Sequence, residues 1–175
     1  LTSEAGGRGG RPTVRVFAPD DWPLYRGVRL RALAESPDAF GRTLAEEDGL
    51  PDTYWARRLA TGADARSDLP LLAEVDGEPI GLAWGRIEPS RPGVAALYQM
   101  WVDPRHRGLG AGRMLLDAVG AWARARNASS LELGVTLGDS PARRLYERVG
   151  FRPVGTPQPL RAGSTLLAQT MRLPL

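Results

Sequence analysis

Residues 102–116 read VDPRHRGLGAGRMLL, the end of an apolar run, a proline, arginines interleaved with glycines, and then the first turns of an apolar helix. A strand that passes through a glycine-rich turn into a helix gathers free backbone amides and the positive end of the helix dipole at one spot. Such a spot attracts an anion. Glycines let the backbone approach a phosphate closely, and Arg105, Arg107 and Arg113 are placed to add charge at the rim. Two familiar phosphate motifs do not fit. GxxxxGK[ST] fails for want of a lysine, and Gly108-Leu109-Gly110-Ala111-Gly112 departs from GxGxxG and has no acidic residue suitably placed after a following strand.

On either side of the loop the pattern is that of a βαβ unit between residues 94 and 136. VAALYQMWV (94–102) reads as a strand, and Leu115, Leu116, Val119, Trp122 and Ala123 share one face of a helix from Gly112 to Arg126, which Asn127 can end. LELGVT is the strand that follows, so one parallel pair is expected. Upstream, LPLLAEV and EPIGLAWGRI flank Asp76-Gly77, a two-residue hairpin signal that makes residues 69–87 an antiparallel pair. TVRVFAP (13–19) alternates like a strand. Asp20 or Asp21 can cap a helix carrying Leu24, Val28 and Leu33, which Ser36-Pro37 interrupts. A second helical region, AEEDGLPDTYWARRLA, has its own turn at Gly49-Leu50-Pro51. Downstream, SPARRLYERVG offers Ser140 as N-cap, Pro141 at the first helical position and Gly150 for a left-handed C-terminal cap. FRPVG and STLLAQTMRL supply two more strands. These elements predict a single mixed α/β domain over residues 13–175: a six- to seven-stranded, mostly antiparallel sheet, helices on both faces, and one parallel crossover. Residues 1–12, LTSEAGGRGGRP, are small, polar and glycine-rich, and are expected to form a flexible arm.

Composition removes whole classes of chemistry. The 175 residues contain no cysteine, which excludes disulfides, thiolate metal sites and a cysteine nucleophile. A single histidine, His106, argues against a histidine-built metal site or a Ser/His triad. None of the 23 basic residues is lysine, so a Schiff base and a Walker lysine are excluded and every basic side chain is a guanidinium. The net charge of +3 is mild and the arginines are dispersed, which disfavours nucleic acid as a partner. No long apolar span and no signal-peptide core are present, so a cytoplasmic location without membrane association is expected, as a monomer or a homodimer.

Arg105-His106-Arg107-Gly108-Leu109-Gly110 fits the pattern Arg or Gln, two residues, Gly, one residue, Gly or Ala, and so resembles the signature of the GNAT superfamily of acetyl-CoA-dependent N-acetyltransferases. Leu145-Tyr146-Glu147-Arg148-Val149-Gly150-Phe151 is similar to that family's LYExxGF segment, and RLRALAESPDAFGRT (29–43) to its first helical region. The resemblance spans nearly the whole chain after residue 12. It implies transfer of an acetyl group from acetyl-CoA to a primary amine by direct attack, with no covalent enzyme intermediate and no metal. It also implies that the strand before the loop opens away from the next parallel strand, and that the pantetheine arm lies in the gap against the main chain of Met100 and Val102. The amides of Arg107, Gly108, Leu109, Gly110, Ala111 and Gly112 would then hold the pyrophosphate, with Arg113 at the rim, and a backbone N–H near Met100 would polarise the thioester carbonyl. Asp139 stands where the family often has an asparagine that contacts the cofactor, and Ser140 either substitutes for that contact or only caps its helix. Tyr146 occupies the position of the acid that protonates the departing thiolate; read alone, it is equally a core tyrosine.

The base is not supplied where the family places it. Val94-Ala95-Ala96-Leu97-Tyr98-Gln99 carries no carboxylate. Glu88, Glu132, Glu46 and Glu47 are the remaining candidates, acting through water, and each is also readable as a solvated surface acid. Trp55 and Trp122 read as core, whereas Trp84 and Trp101 either line an acceptor pocket or pack inside. His106 reads as a solvent-facing spacer. Two other functions stand beside acetyl transfer: an acyl-CoA-binding sensor without catalysis, suggested by the missing strand carboxylate, and a basic nucleic-acid-binding module whose affinity would fall steeply with salt.

Overall fold

The structure, a computed structural model, describes residues 10–63 and 66–175, so most of the expected N-terminal arm lies outside the described residues. Seven strands form one sheet: β1 (Thr13–Val16), β2 (Asp68–Val75), β3 (Glu78–Ile87), β4 (Val94–Val102), β5 (Ser130–Thr136), β6 (Arg152–Pro159) and β7 (Leu167–Pro174). Their order is β1-β2-β3-β4-β5-β7-β6, and only β4 and β5 run parallel. Five α-helices accompany them: α1 (Trp22–Glu35), α2 (Leu44–Asp48), α3 (Asp52–Ala63), α4 (Ala111–Arg124) and α5 (Pro141–Val149).

The two-residue period of the strands sorts side chains into two layers. Leu71, Ala73, Ala95, Leu97, Leu131 and Leu133 pack with Leu115, Leu116, Val119 and Ala123 of α4 and with Tyr146 and Phe151 around α5. Leu72, Leu82, Trp84 and Trp101 face the other way, onto Tyr25, Val28 and Leu33 of α1 and Trp55 and Leu59 of α3. Helices therefore cover both faces, and α1 and α3 lie over the β1–β4 half of theirs. The hairpin at Asp76-Gly77 has both residues at positive φ, 50° and 79°, as its tight turn requires.

Three boundaries differ from the sequence reading. β1 stops at Val16, because Phe17 turns inward and is buried. β6 runs on to Pro159 through three prolines, which an outer strand tolerates because its free edge needs no N–H donors; its register with β7 shifts between Val154 and Gln158. β7 begins only at Leu167, since residues 160–166 make the turn between these strands.

Candidate active site

β4 and β5 are paired only from Val94↔Ser130 to Leu97↔Leu133, although β4 continues to Val102 and β5 to Thr136. Beyond Leu97 the two parallel strands part and a gap opens in the sheet. On the other side of β4 the pairing with β3 shifts register between Trp84↔Tyr98 and Leu82↔Trp101, a bulge that places an extra residue in β4. A bulge bends its strand and increases its twist, which carries the second half of β4 away from β5. Within it Gln99 has φ of 55°, a sparsely populated conformation for a side chain of this kind. A hydrogen-bond chain supports it: Arg58 Nε donates to the Tyr25 hydroxyl (3.0 Å), which donates to Gln99 Oε1 (3.0 Å).

The glycine loop closes the end of this gap. Asp103 starts it, accepting from the amide of Arg105 at 2.9 Å and from its guanidinium at 2.8 and 3.1 Å. The hydrogen bond from the Arg105 side chain is the main reason the Asp103 carboxyl is lowered to about 2, against the opposing effect of burial. Gly108 and Gly110 take φ of 86° and 91°, and Gly110 leads directly into α4. The amides of residues 108–113 find no acceptor within the chain among the described residues; the first helical bond is from Met114 to the Gly110 carbonyl. A row of free N–H groups at a helix start is a ready anion site. The flanking arginines are less free. Arg105 is committed to Asp103 and Arg113 to Asp117, while Arg107 donates through Nε to the Val102 carbonyl (3.1 Å) and reaches Glu35 at 3.5 Å. Arg107 thus pins the end of β4 to the loop.

Gly112 sits where three elements meet. A Cβ there would lie 3.1 Å from Leu145 Cδ2 of α5 and 3.5 Å from Met100 Cε of β4. Tyr146, next after Leu145, is 4% exposed with its ring 5.8 Å from that of Phe151, and burial pushes its phenol well above the ordinary value. Its hydroxyl has no hydrogen-bond partner among the described residues, and it is not one of the side-chain atoms sealed off from solvent. Ser140 caps α5, accepting from the Arg143 amide at 3.1 Å, and Asp139 is paired with Arg144.

The candidate bases differ in their freedom. Glu46 is the capping-box acid of α2, bonded to the Thr43 amide and hydroxyl. Glu47 is buried and held by the Arg29 guanidinium at 2.8 and 3.0 Å. Glu132, read in the sequence as a candidate base or a solvated acid, is instead buried and clasped by Arg91 and Arg172. Glu88 accepts a 2.7 Å hydrogen bond from the hydroxyl of Tyr98, the last β4 residue before the bulge. Tyr98 is 47% exposed, and burial together with the bond to Glu88 and its charge raises its phenol to about 12 despite Arg86 and Arg91. Trp84 and Trp101 resolve as core, with indole N–H groups bonded to Asp68 (2.6 Å) and Glu35 (2.8 Å). Trp55 and Trp122 are buried as expected. His106 is not a solvent-facing spacer. Its side chain is only 19% exposed, Nδ1 is enclosed without a partner, and Nε2 lies 3.9 Å from Glu78.

The model of the acetyltransferase (GNAT) family matches residues 30–151, a stretch that takes in the end of α1, the bulged strand, the loop and α5. The chain belongs to the GNAT family. A mycothiol acetyltransferase from Acidothermus cellulolyticus is 30% identical over 166 residues, which is 87% of this chain and 48% of that protein. A streptothricin acetyltransferase from Streptomyces lavendulae is 33% identical over 115 residues, 60% of this chain and 55% of that protein. This GNAT chain thus spans about half the length of the curated relatives it matches. Among solved structures, yncA from Salmonella typhimurium, determined with its cofactor acetyl-CoA, shares the fold at a TM-score of 0.76 and 20% identity, covering 95% of both chains. The ribosomal-protein-alanine N-acetyltransferase of Brucella melitensis does so at 0.74 and 22%, covering 93% of this chain and 99% of that one. Among the described residues no helix is long and apolar enough to cross a membrane, and no group of three or more His, Asp or Glu side chains is placed to hold a metal ion.

Proposed function

We propose that this GNAT domain transfers an acetyl group from acetyl-CoA to the primary amine of a small molecule by direct attack in a ternary complex. The observation that carries the reading is the open β4–β5 gap ending on the free amides of residues 108–113. An extended chain bearing a pyrophosphate fits both features: the gap supplies unpaired strand edges and the loop an anion site. The main chain at Met100 and Val102 would hold the pantetheine arm, Arg107 to Arg113 the pyrophosphate, and Asp139 and Ser140 the rim beside α5. Small-molecule acceptors are favoured because relatives are named for mycothiol, L-2,4-diaminobutyric acid and streptothricin.

In the reaction the amine nitrogen attacks the thioester carbon while a backbone N–H near Met100 stabilises the oxygen that gains charge. The carbon–sulfur bond breaks, Tyr146 gives its hydroxyl proton to the leaving thiolate, and the second proton that the nitrogen sheds on becoming an amide restores the phenol. A phenol whose burial disfavours the ionised form is suited to donating and then recovering a proton rather than to standing as an anion. For the proton lost by the ammonium, Glu88 is the base we assign, reached through Tyr98: the Tyr98 oxygen takes the ammonium proton as its own passes to Glu88. Tyr98, raised to about 12, stays protonated between turnovers, as a relay must.

Isothermal calorimetry with acetyl-CoA tests the binding claim, together with thermal unfolding, because a ligand at a hundred times its dissociation constant stabilises by about 2.7 kcal/mol. No heat and no shift at millimolar cofactor would refute it. The missing β4 carboxylate also favours a second reading, a sensor that binds acyl-CoA without turnover. Thiol release across a panel of small amines decides between them.

A further inference from the structure

β5 buries Leu131, Leu133 and Val135 beneath α4, so Glu132 faces the opposite side of the sheet, away from α4. There it lies across from Ala96 in β4 and Arg172 in β7, one residue short of the last β4–β5 pair. Arg172 holds Glu132 Oε1 through Nε at 2.8 Å and Nη2 at 2.6 Å, and Arg91, from the β3–β4 turn, holds Oε2 at 2.7 Å. The glutamate side chain is 6% exposed while both arginines are 48% exposed. One carboxylate thus orders two guanidiniums and neutralises only one of them. Each guanidinium has five N–H donors in a fixed fork, and Glu132 occupies a minority of them. Burial pushes the Glu132 carboxyl up, but its bonds to Arg172 and Arg91 and their charges outweigh this and keep it ionised.

We infer that Arg91 and Arg172, oriented by Glu132, receive a carboxylate carried by the acceptor itself. The surplus is a single positive charge, which a monoanion completes. A phosphate dianion would overshoot it beside Glu132 and Glu88. Of the neighbouring charges on this face, Arg86 is paired with Asp68 at 2.9 Å and Glu88 with the Tyr98 hydroxyl, while Arg152, across from Arg172 in β6, bonds the backbone carbonyls of Glu147 and Phe151. The Arg91 amide donates to the Glu88 carbonyl at 3.0 Å, and Tyr98 follows Ala96, the partner of Glu132, on the same face of β4, so the guanidinium pair and the Tyr98–Glu88 pair are neighbours. An amine that also carries a carboxylate meets an acidic group at one end and the arginines at the other. The inference deepens the acetyl-transfer reading by naming the acceptor class, and its test does not depend on turnover.

The test is a titration of the full chain followed by NMR at the arginine Nε–H groups, assigned with Arg91→Lys and Arg172→Lys. Propionate and β-alanine are expected to shift Arg91 and Arg172 saturably, ethylamine to leave them in place, and Arg15 of β1, paired with Asp21 and Glu74, and Arg143 to stay still throughout. Arg91→Gln should weaken propionate about tenfold, the worth of one charge-assisted contact pair. Arg91→Lys keeps the ion pair to Glu132 and hence the fold, but loses the fork, and should also weaken it. Equal effects of propionate and ethylamine would overturn the inference. So would tighter binding of inorganic phosphate than of propionate at Arg91 and Arg172 themselves, or shifts in the control arginines as large as those of Arg91. Acetyl-CoA calorimetry on the same sample reports separately on the cofactor site, so failure of one claim is distinguishable from failure of the other.

Discussion

The hydroxyl of Tyr25 in α1 donates to Gln99 Oε1 across 3.0 Å and thereby steadies the β4 residue whose backbone is left-handed. Tyr25 also accepts from Arg58, so Tyr25→Phe strips a partner from two polar groups at once. Leaving buried polar groups unpaired costs about 1–3 kcal/mol. Denaturant unfolding should show a loss of that order. A double-mutant cycle with Gln99→Ala should give a coupling above about 0.5 kcal/mol, since the two residues share one network. Additive effects would mean that the bulge stands without the bond.

Gly110→Ala should weaken acetyl-CoA binding even though nothing lies within 4 Å of the place its Cβ would occupy. The obstacle is the backbone. At φ of 91° a side chain costs about 1–2 kcal/mol, and the chain relieves this by turning the loop amides out of line. Calorimetry on a folded variant with unchanged affinity would show that the loop is only a turn.

Tyr146→Phe keeps the ring against Phe151 and removes the proton. The maximal rate should drop by roughly a hundredfold or more while cofactor affinity stays within a few fold, because a general acid typically contributes about 10²- to 10⁴-fold. Persistence of the rate with both substrates saturating would return Tyr146 to packing alone.

Asp103 makes the loop sensitive to acid. Its carboxyl falls from 3.8 to about 2 on folding, through Arg105 first and Arg31 further down. A folded pKa below the unfolded one stabilises the protein above the unfolded value and loses that stability as pH drops through the folded value. The gap corresponds to about 2 kcal/mol at neutral pH. Asp103→Asn should therefore be less stable than the parent at pH 7, and the difference should shrink from about pH 4 and vanish below about pH 2. A constant difference across that range would exclude this linkage.

Elements whose signals are local were legible in the sequence. Asp76-Gly77, the loop from Gly108 to Gly112, and Ser140-Pro141 with Gly150 each needed a particular backbone conformation, and the residues that permit it are visible as such. The bulge was not. Gln99 has no sequence mark of a positive φ, and what sustains it is Tyr25, 74 positions away. Glu132 misread for the same reason: Arg91 and Arg172 reach it only because β5 is flanked by β7 and by the turn before β4. His106 lies in a polar, arginine-rich stretch, and only the fold of the turn brings it under cover beside Glu78.

The short parallel register between Leu97 and Leu133 has a mechanical side. Strands β1–β4 and strands β5–β7 are stitched together at one end by four residue pairs and then run unlaced to Val102 and Thr136. The β3–β4 ladder on one side reaches Val102 and the β5–β7 ladder on the other takes in every residue of β5, so this seam is the weakest joint between the two half-sheets. A molecule laid along it works as a keystone, bracing two half-sheets that otherwise hinge. Amide exchange in residues 98–102 and 134–136 should slow on loading with acetyl-CoA, while the hairpin at Asp76-Gly77 keeps its own pace.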